Sequence, residues 1–100
     1  MRNRLKPFLN KTITFRGIYD GFSVGNGKTY KSRICIKNPK IINYPHCFDS
    51  HIWIPYNPKG LVIGDLIEVT GYVDYYKKGY HGASASENLG IKFVDNVIKI

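Results

Sequence analysis

The sequence predicts an all-β domain in the form of a small five-stranded barrel. Three observations lead there. Apolar residues alternate with polar ones in several runs, the first starting at Thr12, glycines stand at mid-strand positions Gly17 and Gly71 where a barrel strand has to bend, and no stretch has the apolar period of an amphipathic helix, which an α+β fold would need.

Taken in order, residues 1–11 read as an amino-terminal arm or short helix, with Pro7 tolerated only near a first turn, and residues 12–100 as the domain proper. Strand one starts at Thr12. Ile13, Phe15 and Gly17 share one face and Thr12, Thr14 and Arg16 the other, while the apolar pair Ile18 and Tyr19 predicts a slip of phase at a Gly17 bulge. Gly25-Asn26-Gly27 supplies the positive φ angles of a hairpin tip. Strand two then begins near Lys28, with Tyr30, Ser32, Ile34 and Ile36 facing the core and Lys31, Arg33, Cys35 and Lys37 forming a basic opposite face.

Asn38 to Asp49 contains two prolines and no clean period, and reads as a long connection. His51 to Ile54 is a short third strand with Ile52 and Ile54 inward and His51 and Trp53 outward. Tyr56 to Gly64 leaves space for a turn or one helical turn, so little or no helix is expected between strands three and four. Strand four runs from about Asp65 to Tyr76, with Ile67, Val69, Gly71, Val73 and Tyr75 inward and Glu68, Thr70, Tyr72, Asp74 and Tyr76 outward. Lys77 to Leu89 is a polar loop rich in Gly and Ser, and Gly90 to Ile100 is the last strand.

Charge narrows the partner. The 15 Lys and Arg against 7 Asp and Glu leave a formal net charge of +8, and residues 1–40 hold ten of the bases with a single acid, Asp20. Such an imbalance calls for a polyanion or a membrane surface. No apolar run is long enough to cross a bilayer, and no secretory leader pattern follows the basic amino terminus. Two cysteines, Cys35 and Cys47, are too few for a disulfide-framed secreted domain, so reduced thiols and a cytoplasmic location are expected.

The stretch Gly64-Asp65-Leu66-Ile67-Glu68-Val69-Thr70-Gly71-Tyr72-Val73-Asp74-Tyr75-Tyr76 resembles the fourth strand of OB-fold nucleic-acid-binding domains, in which a Gly-Asp turn opens the strand and a central glycine bends it. Ile13 to Gly17 resembles their first strand and Gly90 to Ile100 their last. In size, basicity and aromatic content the chain is most similar to the compact single-stranded-DNA-binding proteins of phages and mobile elements, the staphylococcal cassette type among them. The resemblance implies a five-stranded OB-fold Greek-key barrel. It also implies a ligand laid across strands two and three, between the loops joining strands one to two and four to five.

Those places concentrate suitable side chains. The first loop and its flanks offer Phe22, Lys28, Tyr30, Lys31 and Arg33; strand three offers Trp53; and the later loop offers Tyr76, Lys77, Lys78 and Tyr80. Arg16 and Tyr72, outward on strands one and four, complete the set. Aromatic rings stack on unpaired bases while Lys and Arg follow the phosphates, which is the chemistry of single-strand binding with weak sequence preference. The expected activity is therefore sequence-nonspecific binding of single-stranded DNA in replication or recombination, with proteins of those processes as further partners. RNA binding and docking of an acidic protein partner remain open alternatives, and the oligomeric state is not indicated.

Enzymatic chemistry has no visible constellation. The seven acids are scattered, the serines lack a nucleophile motif, and Gly25-Asn26-Gly27-Lys28 lacks the glycine spacing of a phosphate loop. Cys35, His46, Cys47 and His51 lack a close Cys pair, so neither a metal nor another cofactor is expected.

Overall fold

The computed structural model describes residues 3–24, 32–78 and 86–100. A 3₁₀ helix, Asn3–Phe8, precedes five strands: β1 (Thr12–Ser23), β2 (Arg33–Ile41), β3 (His51–Pro55), β4 (Leu66–Lys78) and β5 (Ser86–Lys99). Among the described residues there is no α-helix, and no helix is long and apolar enough to cross a membrane. The hairpin tip at Gly25–Gly27, the first residues expected of strand two and most of the polar loop before strand five lie outside the described residues.

The strands form one antiparallel sheet in the order β3-β2-β1-β4-β5. Its edges, β3 and β5, run in the same direction and come within 8 Å of each other between Cα atoms, but no ladder joins them among the described residues. The all-β expectation is met as an open, curled sheet.

Alternation builds the core. Ile13, Phe15 and Tyr19 of β1, Ile34 and Ile36 of β2, Ile52 and Ile54 of β3, Ile67, Val69 and Val73 of β4 and Leu89 and Ile91 of β5 are all buried on the inner side. Leu5 joins them, fully buried, so the 3₁₀ helix closes one part of the core. The segment from Tyr56 to Gly64 contains turns and no helix, and its end is tied to β1 by the Gly64 N–H donating to the Tyr19 carbonyl at 2.9 Å.

Four details depart from the expected pattern. The inward phase does not slip at Gly17: Phe15, Gly17 and Tyr19 stay on one face, and the slip comes later, where two residue steps of β2 (Ile36 to Ile34) face three of β1 (Tyr19 to Phe22). Gly21, at φ +119°, supplies that bulge. Next, β2 does not stop at Lys37. A bulge at Asn38, at φ 52°, puts two adjacent outward residues in the strand, after which Pro39 and Ile41 turn inward in the opposite phase. Cys35, expected on a basic outer face, is buried. Lastly, β4 continues to Lys78 and β5 begins at Ser86, so the polar connection is shorter at both ends than its composition suggests.

Candidate functional site

Directly opposed residues of an antiparallel pair point to the same side of the sheet. The register therefore assembles an outer face on β1, β2 and β3. Arg33 lies opposite Pro55 on one side and Ser23 on the other, Cys35 opposite Trp53, Lys37 opposite His51 and Ile18, and Lys40 opposite Arg16. Arg16, Arg33, Lys37, Lys40, His51 and Trp53 are all exposed. Trp53 is 41% exposed although it is the largest side chain in the protein, because its phase opposes that of buried Ile52 and Ile54. Leaving so much apolar area in water runs against the hydrophobic effect and marks the ring as available to a partner.

Phe22, 53% exposed, sits opposite buried Ile34 at the end of β1, beyond the Gly21 bulge, so it reaches the rim of the inner side next to Arg33's neighbour in the strand. Arg16 is held across strands by Glu68, with Nε donating to Oε1 at 3.2 Å, and this exposed pair fixes the guanidinium at the β1–β4 border. Such a surface pair contributes little to stability.

Tyr72 is placed elsewhere. It lies opposite Thr12 at the start of β1, its hydroxyl donates to Asn10 Oδ1 at 3.1 Å, and its ring rests against Phe93 with centroids 6.0 Å apart. Trp53 aligns with the far end of β1, so the two rings are separated by about eight residues along the strands, roughly 26 Å, and by three strand spacings, roughly 14 Å. Tyr76, Lys77 and Lys78 continue β4 past the start of β1, where they pair only with β5, so their backbone forms part of a projecting hairpin. Lys28, Tyr30, Lys31 and Tyr80 lie outside the described residues. The expected set thus splits: Arg16, Phe22, Arg33 and Trp53 belong to the β1–β2–β3 region, and Tyr72 does not.

Three residues absent from the sequence-derived set stand on that face: Lys37, Lys40 and His51. Lys37 and His51 were legible from alternation as outward residues. Lys40 was hidden by the Asn38 bulge, which reverses the phase and makes the second half of β2 look irregular.

Cys35 faces the same side but is enclosed. Burial pushes its thiol pKa up, and the negative charge of Asp20 adds to the effect. Cys47 lies in the β2–β3 connection and donates its S–H to the Asn38 carbonyl at 3.4 Å. Both thiols are free, and among the described residues no three His, Cys, Asp or Glu side chains gather as a metal site would require. Three acids are engaged at separate places: Glu68 with Arg16, Asp74 with Lys92 at 3.7 Å, and Asp65 with Lys99 at 3.4 Å.

Comparison with protein-family models, with curated proteins and with solved structures found no match.

Proposed function

We propose that this chain is an OB-type barrel that binds single-stranded DNA without sequence preference, as a non-enzymatic module acting in replication or recombination. The order β4-β1-β2-β3 within the sheet is that of a Greek key, and the approach of the parallel edges β3 and β5 is what a partly open five-stranded barrel requires. Both support the barrel. The assignment to a phage or mobile element rests on the sequence resemblance alone.

The observation that carries the function is exposed Trp53 set among Arg33, Lys37, His51, Lys40 and Arg16 on one outer face. A stacking ring on a face that carries these cations, with Asp20 beside Cys35 as an acid on the same face, matches an unpaired strand, whose bases offer π-faces and whose phosphates track the charges. A flat duplex end offers far fewer free bases.

Titration with a short oligothymidylate tests it. Trp53 fluorescence is expected to be quenched at low salt, with log affinity falling against log salt by about 0.7 for each phosphate contacted. Trp53→Ala is expected to lose about 1–3 kcal/mol of binding. Absence of binding at low salt ends this reading, and tighter binding of the matching RNA strand would transfer it to RNA.

A different observation favours a second reading, a protein-interaction module. Val62, Ile63, Leu66, Ile98 and Ile100 are exposed, and Leu66 lies opposite half-buried Ile18 and accepts a hydrogen bond from the Ile100 N–H at 2.9 Å. Grouped apolar side chains of this kind are typical of protein contacts. Leu66 shares a row with Ile18, Lys37 and His51, and Ile98 one with Glu68, Arg16 and Lys40, so these two apolar residues border the basic face on the β4–β5 side. Charge introduced there, as in Leu66→Lys, is expected to leave oligonucleotide affinity unreduced under the first reading.

A further inference from the structure

Between the 3₁₀ helix and the β2–β3 connection lies a cavity of about 310 Å³. Pro7, Phe8, Tyr44 and Phe48 form its apolar walls, and Arg4 and His46 stand with them at the opening. Each wall is tied in place. Leu5 is fully buried and anchors the helix, Phe8 and Tyr44 meet edge to face with centroids 5.4 Å apart, and Phe48 packs the same way on core residue Phe15 at 5.3 Å. Backbone bonds from Tyr44 N–H to the Ile41 carbonyl at 3.1 Å and from Phe48 N–H to the Pro39 carbonyl at 2.9 Å hold the connection against β2. The cleft is therefore built into the fold and does not need a ligand to form it.

Its chemistry is selective. The volume is at the small end of ligand pockets, about 300–1,000 Å³, which suits one ring system and not a peptide segment. Aromatic and proline walls favour a planar ring, and Tyr44, 48% exposed, keeps a ring surface open to solvent. Arg4 donates through one terminal nitrogen to the Cys47 carbonyl at 2.6 Å, which orients the guanidinium and leaves its other donors for an anion. A nucleotide joins a planar ring to an anion in this way. The cleft lies at the end of β2 that carries Lys40, although its wall residue Ile41 faces inward, so a strand leaving the outer face has to pass around that end to reach it.

We propose that this cleft is a nucleotide subsite, taking one unstacked base of a bound strand against Tyr44 and its phosphate at Arg4. The subsite rests on the single-strand reading above and adds an end point to it: the strand crosses β3 and β2 and leaves its terminal base in the cleft.

Two variants and one ligand comparison test this. Tyr44→Ala is expected to weaken oligothymidylate binding by about 5- to 150-fold, the range of one base–aromatic stack, with an unchanged salt slope. Arg4→Gln is expected to lower the magnitude of that slope by about 0.7. In the unaltered chain, deoxyadenosine monophosphate is expected to shift the amide resonances of residues 4–8 and 41–48, which reports on the cleft even if a variant folds poorly. Wild-type affinity in Tyr44→Ala, alongside impaired Trp53→Ala, overturns the subsite and leaves the face reading intact. Shifts with the mononucleotide but no effect of Tyr44→Ala on the strand also overturn it, in favour of a free-nucleotide site. No binding of any strand by the wild type removes the face reading itself.

Discussion

Cys35 stands directly across from Trp53 on the outer face and is nevertheless buried, whereas the Trp53 ring stays exposed. Its thiol is thus a reporter for this surface. Half-buried Cys47 is expected to be alkylated first, and Cys35 slowly; in Trp53→Ala, Cys35 labelling is expected to accelerate, measured by mass spectrometry of timed quenches. The raised thiol pKa also predicts a pH dependence. Burial favours the neutral form of Cys35 in the folded state, and burial does the same for Tyr19. The stabilisation is therefore complete below the usual thiol pKa of about 8.5 and is lost as pH rises through it toward the folded value, with the tyrosine following above about 10. The urea midpoint is expected to fall between neutral and alkaline pH, and Cys35→Ala to remove the earlier part of that fall. A midpoint that stays flat to high pH would contradict both assignments.

At the scale of the strands, two glycines do the same job in corresponding places. A Cβ on Gly17 would collide with Cγ2 of Ile36, and one on Gly71 with Cγ2 of Ile91. Each glycine faces a bulge on its neighbour: β2 has one extra residue opposite Gly17, and β5 has two opposite Gly71, around Phe93 at φ 48°. A bulge bends and twists its own strand toward its partner, and the missing side chain gives the incoming isoleucine somewhere to go. Gly17→Ala and Gly71→Ala are expected to cost about 1–3 kcal/mol each through overpacking, read as a lower denaturant midpoint with an unchanged slope. Because Ile36 borders Cys35 and Lys37 in β2, Gly17→Ala is also expected to disturb oligonucleotide binding more than Gly71→Ala does.

For the whole molecule, the net charge of +8 matters less than where the cations stand. Lys37 and Lys40 are on the outer face shared with Trp53, whereas Lys92 and Lys99 are on β5 and pair with Asp74 and Asp65. Overall electrostatic attraction treats the four alike; direct neutralisation of phosphates does not. Lys37→Gln with Lys40→Gln is expected to reduce the salt slope by roughly 0.7 for each phosphate no longer neutralised, and Lys92→Gln with Lys99→Gln to leave it nearly unchanged. Equal effects from the two double variants would mean that the basic face has no privileged role.

Alternation alone places Ile13, Phe15, Ile34, Ile36, Ile52, Ile54, Ile67, Val69 and Val73 inward and Trp53 outward, because a two-residue period is a local property of the backbone, whereas Leu89, read from sequence as loop, joins the core only in the structure. The Gly64 to Tyr76 stretch was legible for the same reason, with Val69, Gly71 and Val73 inward as expected. The places where the phase reverses belong to the tertiary structure, since a bulge at Gly21, Asn38 or Phe93 is set by pairing with another strand and not by its own neighbours in sequence. The Asn38 bulge sets Lys40 opposite Arg16, while strand order and register place Tyr72 far from Trp53, and tertiary packing brings the 3₁₀ helix and the proline-containing connection together at the Arg4–Tyr44 cleft. Proximity between residues far apart in the chain depends on register, and register is fixed by the packing of the whole sheet.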